Sequence, residues 1–236
     1  EVHNCIDGPT AVALCRAIEA FAADDDASVL IVTGAGDQAF CTGADLKNTQ
    51  SLWGHDAFER AGPLGFARLD PGKPTIAAVN GYAFAGGMEL AAWCDVRVAA
   101  ANAEFGVLNR RWGIPLVDGG TQRLPRIVGL GNALWLIESG VRIDAQRAAR
   151  IGFVQEVVPE GEALDRAMAL AQAMADYPQA SLRADRRAAL GTFGRDADDA
   201  LLFERECGLP TVNDPAMGPA LARFTTPERP EAPRPA

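Results

Sequence analysis

Lys73-Pro74-Thr75-Ile76-Ala77-Ala78-Val79-Asn80-Gly81-Tyr82-Ala83-Phe84-Ala85-Gly86-Gly87-Met88-Glu89-Leu90 is the stretch from which the rest of the chain can be read. Pro74 to Val79 is a short apolar run with β-branched residues, as in a strand buried on both faces. A glycine-bearing turn follows, then a short helix over Gly87 to Trp93, then a second strand over Asp95 to Ala100. Upstream, Ser28 to Thr33 is another such run, closed by Gly34. Before it, Val12, Leu14, Ala17, Ile18 and Phe21 recur at helical spacing between Thr10 and Ala23, and Asp24-Asp25-Asp26 ends the run. Strands alternating with helices predict an α/β core.

Downstream the pattern turns helical. Helices are predicted over 121–139, 144–150 (closed by Gly152), 162–176, 180–192 and 197–207, with one strand, Phe153 to Val158, stopped by Pro159. Residues 47–72 mix Trp53, Phe58 and Phe66 with Gly and Pro in no clean period, which predicts a mobile helical excursion suited to a substrate lid. Thr226 to Ala236 holds four prolines and four charges with no core former, and disorder is expected there. Glu1 to Asp7 reads as the exit from a strand, so a further N-terminal piece is expected.

Composition narrows the function classes. The 236 residues carry 22 Lys+Arg against 31 Asp+Glu, a net charge of −9, and only two of the bases are lysines, Lys47 and Lys73. That balance lacks the basic footprint of a nucleic-acid binder. Arg110-Arg111-Trp112 is read as a site rim or a contact between copies rather than an RNA patch. No apolar run is long enough to span a bilayer and no signal pattern opens the chain, so a cytoplasmic protein is expected. The five cysteines (Cys5, Cys15, Cys41, Cys94, Cys207) form no C-x-x-C pair and read as reduced thiols. His3 and His55 have no ligand-like companions, and no metal site is expected.

Gly34-Ala35-Gly36-Asp37-Gln38-Ala39 imitates a dinucleotide-binding turn, but no apolar helical period follows it and no acid ends a second strand about 20 residues on. No Gly-x-Ser-x-Gly elbow is present, which disfavours a serine hydrolase. Cys41 has no evident base and is assigned to packing. Two turns remain, Phe40-Cys41-Thr42-Gly43-Ala44-Asp45-Leu46 and Asn80 to Leu90. On spacing alone they read either as tight turns with packing glycines or as two sets of backbone N–H groups converging on one anion.

Taken together, four ordered segments resemble the crotonase (enoyl-CoA hydratase/isomerase) superfamily. They are Ala39 to Leu46, Lys73 to Asp95, Gly119-Gly120-Thr121-Gln122-Arg123-Leu124-Pro125-Arg126, and Ala148 to Pro159. The resemblance implies a spiral of ββα turns with a helical C-terminal trimerisation region, assembled as a homotrimer or a dimer of trimers. It divides the chain into an acyl-CoA-binding core over 1–180, an oligomerisation region over 181–225 and the tail 226–236. It also implies an acyl-CoA substrate, with coenzyme A entering only as part of the thioester, and an oxyanion hole from the N–H groups of Ala44 and Gly86.

Within that resemblance, Ala44, Asp45, Leu46, Lys47 and Gly86 form the substrate-binding set, with Lys47 reaching the phosphates of coenzyme A as a point charge. Glu89 matches one catalytic glutamate of the hydratases. In a cleft lined by Phe84, Met88 and Trp93 its pKa would rise; the alternative is a first-turn acid complementing the helix dipole. The second glutamate is replaced by Asn109, an amide that can orient water but cannot exchange a proton at neutral pH. Asp118 lies near an acid of some isomerases, or else caps the helix that begins near Gly120. The implied function is hydration or dehydration of a 2-enoyl-CoA, with Glu89, Asn109 and Asp118 as catalytic residues. The alternatives are an enoyl-CoA or dienoyl-CoA isomerase and a non-catalytic acyl-CoA binder.

Overall fold

Alternation between two sheets is the organising feature of the computed structural model, which describes residues 3–224, 226 and 233–235. Strands β1 (Leu30–Thr33), β2 (Ala39–Cys41), β3 (Thr75–Val79), β4 (Tyr82–Phe84), β5 (Val96–Ala100), β6 (Glu104–Gly106), β7 (Ile143–Asp144) and β8 (Glu156–Val158) are all short. They form two four-stranded sheets, ordered β1-β3-β5-β8 and β2-β4-β6-β7. Every pairing is parallel except β6 with β7. The chain therefore lays one strand in the first sheet, turns a corner, lays the next in the second, and climbs by one position per turn: the expected spiral. The corners were invisible as strands in the sequence because β2, β4 and β6 are only three residues long.

Helices α1 (Gly8–Ala23), α2 (Phe58–Ala61), α3 (Gly86–Trp93), α4 (Gly120–Ser139), α5 (Ala145–Arg150), α6 (Ala163–Ala175), α7 (Gln179–Leu190), α8 (Ala197–Gly208) and α9 (Met217–Phe224) complete the fold. Helix α1 starts two residues earlier than the apolar period suggests, because Asp7 caps it by accepting from Thr10 N at 2.9 Å. Gly129 (φ 76°, ψ 155°) breaks α4 into two pieces where one helix was expected. Strand β8 begins at Glu156 rather than Phe153, whose buried side chain and carbonyl go to Arg97 instead.

Two buried cations act as staples. Lys73 donates to the carbonyls of Phe21 and Asp24 at the end of α1, and Arg97 donates to those of Ala91 and Cys94 at the end of α3. Each satisfies helix-end acceptors that have no intrahelical donor. The Gly34–Ala39 turn opens no helix; Asn80 locks it by accepting from Gly34 N and donating to the carbonyls of Gly34 and Gly36. Gly81 is needed at its corner because a Cβ there would lie 2.2 Å from the Gln38 carbonyl oxygen.

Residues 47–72 form a 3₁₀ turn (Thr49–Leu52), α2 and a loop whose Leu52, Leu64 and Phe66 are buried. Helix α6 packs on the first sheet through Ala163, Ala167, Leu170 and Ala171. Helix α7 buries no residue, and Arg186 ties it to Asp95 and Asp70, each at 2.8 Å. No described helix is long and apolar enough to cross a membrane. Most of the tail expected to be disordered, 226–236, lies outside the described residues.

Candidate active site

The turn from β4 into α3 is strained. Ala85 adopts φ 50°, ψ −120°, a region that residues with a Cβ rarely occupy and that costs on the order of 1–3 kcal/mol. The strained peptide turns Gly86 N–H away from the strand ladder, and as the first residue of α3 it has no intrahelical acceptor. Opposite it, Gly43 (φ +87°) brings the turn after β2 so close that a Cβ on residue 43 would lie 2.6 Å from Gly86 N. Ile6 donates to Gly43 O and accepts from Asp45 N, which leaves Ala44 N–H between them unused. Neither Ala44 N nor Gly86 N has an acceptor among the described residues. Two free donors on two touching turns are able to receive a negatively charged oxygen.

Beside these donors runs a cleft of about 760 Å³. Ala44, Asp45, Leu46, Lys47, Gly86, Glu89, Asn109 and Asp118 all line it, so every site residue singled out in the sequence reaches one cavity. Asp45 Oδ1 accepts from Lys47 N at 2.9 Å, which shapes the turn that presents the lysine. Phe84 also lines the cleft, but Met88 and Trp93 do not. Met88 lies in the core, and Trp93 packs edge-on to Phe66 and donates to Leu69 O. Leu64 lines the cleft in their stead, and Leu116 packs against Gly120 beside the Glu89 carboxyl.

Glu89 is 4% exposed. Its Oε1 accepts from Asp118 N at 3.0 Å and from Gly120 N at 2.8 Å, so this carboxyl, and not Asp118, caps α4. Oε2 has no protein donor among the described residues. Burial pushes the Glu89 pKa up to about 7, aided by the Asp118 charge and opposed by the Gly120 N–H. The expectation of a raised pKa therefore holds, with burial beside Leu116 and the 118–120 turn as the cause.

The capping role considered for Asp118 is overturned, since the N-cap residue of α4 is Gly119 and the carboxyl that accepts from Gly120 N is that of Glu89. Its Oδ1 instead accepts from Leu64 N at 3.0 Å across the cleft wall. Asp118 is 2% exposed, and burial pushes its pKa up to about 6 against the pull of Leu64 N–H, Arg68 and Arg123.

Asn109, in the 3₁₀ turn Leu108–Trp112, is 7% exposed. Nδ2 donates to Ile114 O at 2.7 Å, and Oδ1 is buried with no partner. The local backbone suits an amide: a carboxylate at 109 would face the Ile114 carbonyl. Three residues on, Trp112 is exposed and lines the cleft, whereas Arg110 and Arg111 do not.

Sequence reasoning missed Leu64 and Ala85. Leu64 carried no signal in a stretch without periodicity, and Ala85 is an ordinary residue type in an extraordinary conformation. His55 also has a structural task, accepting from Ala57 N at Nδ1 and donating from Nε2 to Pro63 O at 3.0 Å.

A profile described as enoyl-CoA hydratase/isomerase matches residues 1–206. The chain belongs to that family. It is 39% identical over 207 residues to the crotonyl-CoA hydratase of Syntrophomonas wolfei, covering 86% of this chain and 79% of the relative. It is 38% identical over 187 residues to the short-chain-enoyl-CoA hydratase of Clostridium acetobutylicum, covering 78% and 71%. Among solved structures, an enoyl-CoA hydratase from Mycobacterium marinum superposes with a TM-score of 0.88 at 32% identity, covering 96% of this chain and 89% of the other. The mixed α/β spiral is thus the fold of this family's hydratases, and the chain is an enzyme of the hydratase/isomerase family.

Proposed function

We propose that this enzyme adds water to the double bond of a short 2-enoyl-CoA, and removes it in reverse. The observation that carries the reading is the pair of unused donors, Ala44 N–H and Gly86 N–H, beside a buried carboxyl that titrates at about 7. With the thioester oxygen between those donors, charge that develops on it during attack at C3 is stabilised more than the neutral ground state. Ionised Glu89 takes a proton from water as the C3–O bond forms, the electron pair of the double bond moves onto the thioester, and the enolate collapses by taking a proton at C2. The proton that Glu89 receives equals the one that C2 needs, so the reaction balances with one carboxyl group. Asn109 Oδ1, which lacks a donor, accepts a hydrogen bond from the water and orients it. Lys47, on the cleft rim, serves the phosphates of coenzyme A.

A second reading rests on Asp118. A second buried carboxyl with a raised pKa, joined to Glu89 through its own backbone N–H, suits a proton shuttle between two carbons, as in an isomerase. The test is the product formed from crotonyl-CoA in heavy-oxygen water. Hydration gives a 3-hydroxyacyl thioester carrying one solvent oxygen, whereas a shuttle introduces solvent hydrogen alone and overturns the hydratase reading.

The same proposal covers assembly and domain organisation. Copies associate through the helical region 181–225 as a trimer or a pair of trimers, and the acyl-CoA site belongs to the core over 1–180. Exposed Leu190, Phe193, Leu201, Leu202, Leu209 and Phe224 support this, since such apolar surface on consecutive helices is rarely left in water.

A further inference from the structure

We propose that Leu64, seated by Asp118, walls off the C2 side of the thioester and makes the enzyme select acyl groups that are unbranched at C2. The inference rests on the oxyanion assignment of Gly86 above. A Cβ built on Gly86 would lie 2.3 Å from Leu64 Cδ1, so the leucine methyl fills the space over that glycine. An oxygen held about 3 Å from Gly86 N brings the two atoms two bonds further on, C2 and the sulfur, to the neighbourhood of that methyl, and the proposal puts C2 on its side.

Leu64 is also held where it is. Its backbone N donates to Asp118 Oδ1 at 3.0 Å, and Pro63 O accepts from His55 Nε2 at 3.0 Å. Arg123 Nη2 donates to Ala67 O at 2.7 Å, and Phe66 is buried against Trp93. Gly65 (φ +82°) presses on α1 so closely that a Cβ would lie 2.0 Å from Ala11 O. The segment cannot retreat as a unit without breaking these tethers, and interiors this close-packed resist one added methyl. Asp118 is on this account a positioning residue for the wall.

The test compares kcat/KM for crotonyl-CoA and 2-methylcrotonyl-CoA in the parent and in Leu64→Ala. Because the methyl also changes intrinsic reactivity, the change in the ratio is the readout. Removing the wall is expected to shift the ratio toward the branched substrate by about 10- to 200-fold. Equilibrium binding of butyryl-CoA and 2-methylbutyryl-CoA, which cannot react, should shift the same way. If Leu64→Ala does not fold, Leu64→Val is expected to give a smaller shift in the same direction. A folded variant in which both ratios stay unchanged overturns the inference. Absence of turnover in the parent with the binding ratio still shifting overturns the hydratase reading and leaves the wall supported.

Discussion

Glu89 binds its proton more tightly in the folded chain than in the unfolded one, and so does Asp118, through burial in both cases. For a carboxyl the sign is then fixed: the stability contributed by a raised pKa is whole below the unfolded value near 4 and is lost as pH rises through about 6 for Asp118 and about 7 for Glu89. Glu89→Gln cannot ionise and keeps an acceptor for Asp118 N and Gly120 N. It should therefore be more stable than the parent at pH 8 by roughly 2–3 kcal/mol, with the gap closing toward pH 5. Thermal melts across that range check it, and a gap that widens on acidification would contradict the assignment. Glu89 was legible in the sequence because its type, its place after Gly86 and the family pattern agree. Asp118 was only half legible: spacing before a helix suggested a cap, and nothing local showed that Glu89, distant in sequence, already fills that place.

At the scale of elements, the junction of β4 and α3 trades stability for a fixed donor. Replacing Ala85 by glycine removes strain of about 1–3 kcal/mol, offset by about 0.4–1 kcal/mol of added freedom in the unfolded chain. Ala85→Gly is therefore expected to melt at the same or a higher temperature, while turnover of an enoyl-CoA falls because Gly86 N–H is held less firmly. A clear drop in melting temperature with unchanged turnover would count against that view. Strands β1, β3 and β5 could be read from their apolar, β-branched runs, and most helices from their periodicity. The three-residue corner strands β2, β4 and β6 could not, because two residues of alternation do not separate a strand from a turn, and Gly129 reads as an ordinary helical glycine until its backbone is seen.

For the molecule as a whole, the core is complete in the spiral and in α6, whereas α7 to α9 bury almost nothing of their own: among them only Cys207 is buried. Arg186 anchors α7 to the core but leaves the apolar faces outward. Light scattering over a dilution series is expected to give a mass of several chains, and Leu202→Glu should shift it toward one chain without unfolding it. A single-chain mass at every concentration would remove the assembly proposal and require another cover for that surface. The acidic balance of the chain agrees with a substrate held by a local lysine and backbone dipoles rather than by a broad basic field.

One carboxyl, Glu89, is proposed to work against a backbone oxyanion site to add water. Loss of the conjugated enoyl-thioester absorbance of crotonyl-CoA, followed for the parent and Glu89→Gln side by side, tests it most directly. Rapid loss is expected in the parent and a rate lower by about 10² to 10⁴ in the folded variant. Equal rates in the two proteins would show that Glu89 does not carry the proton and would contradict the account.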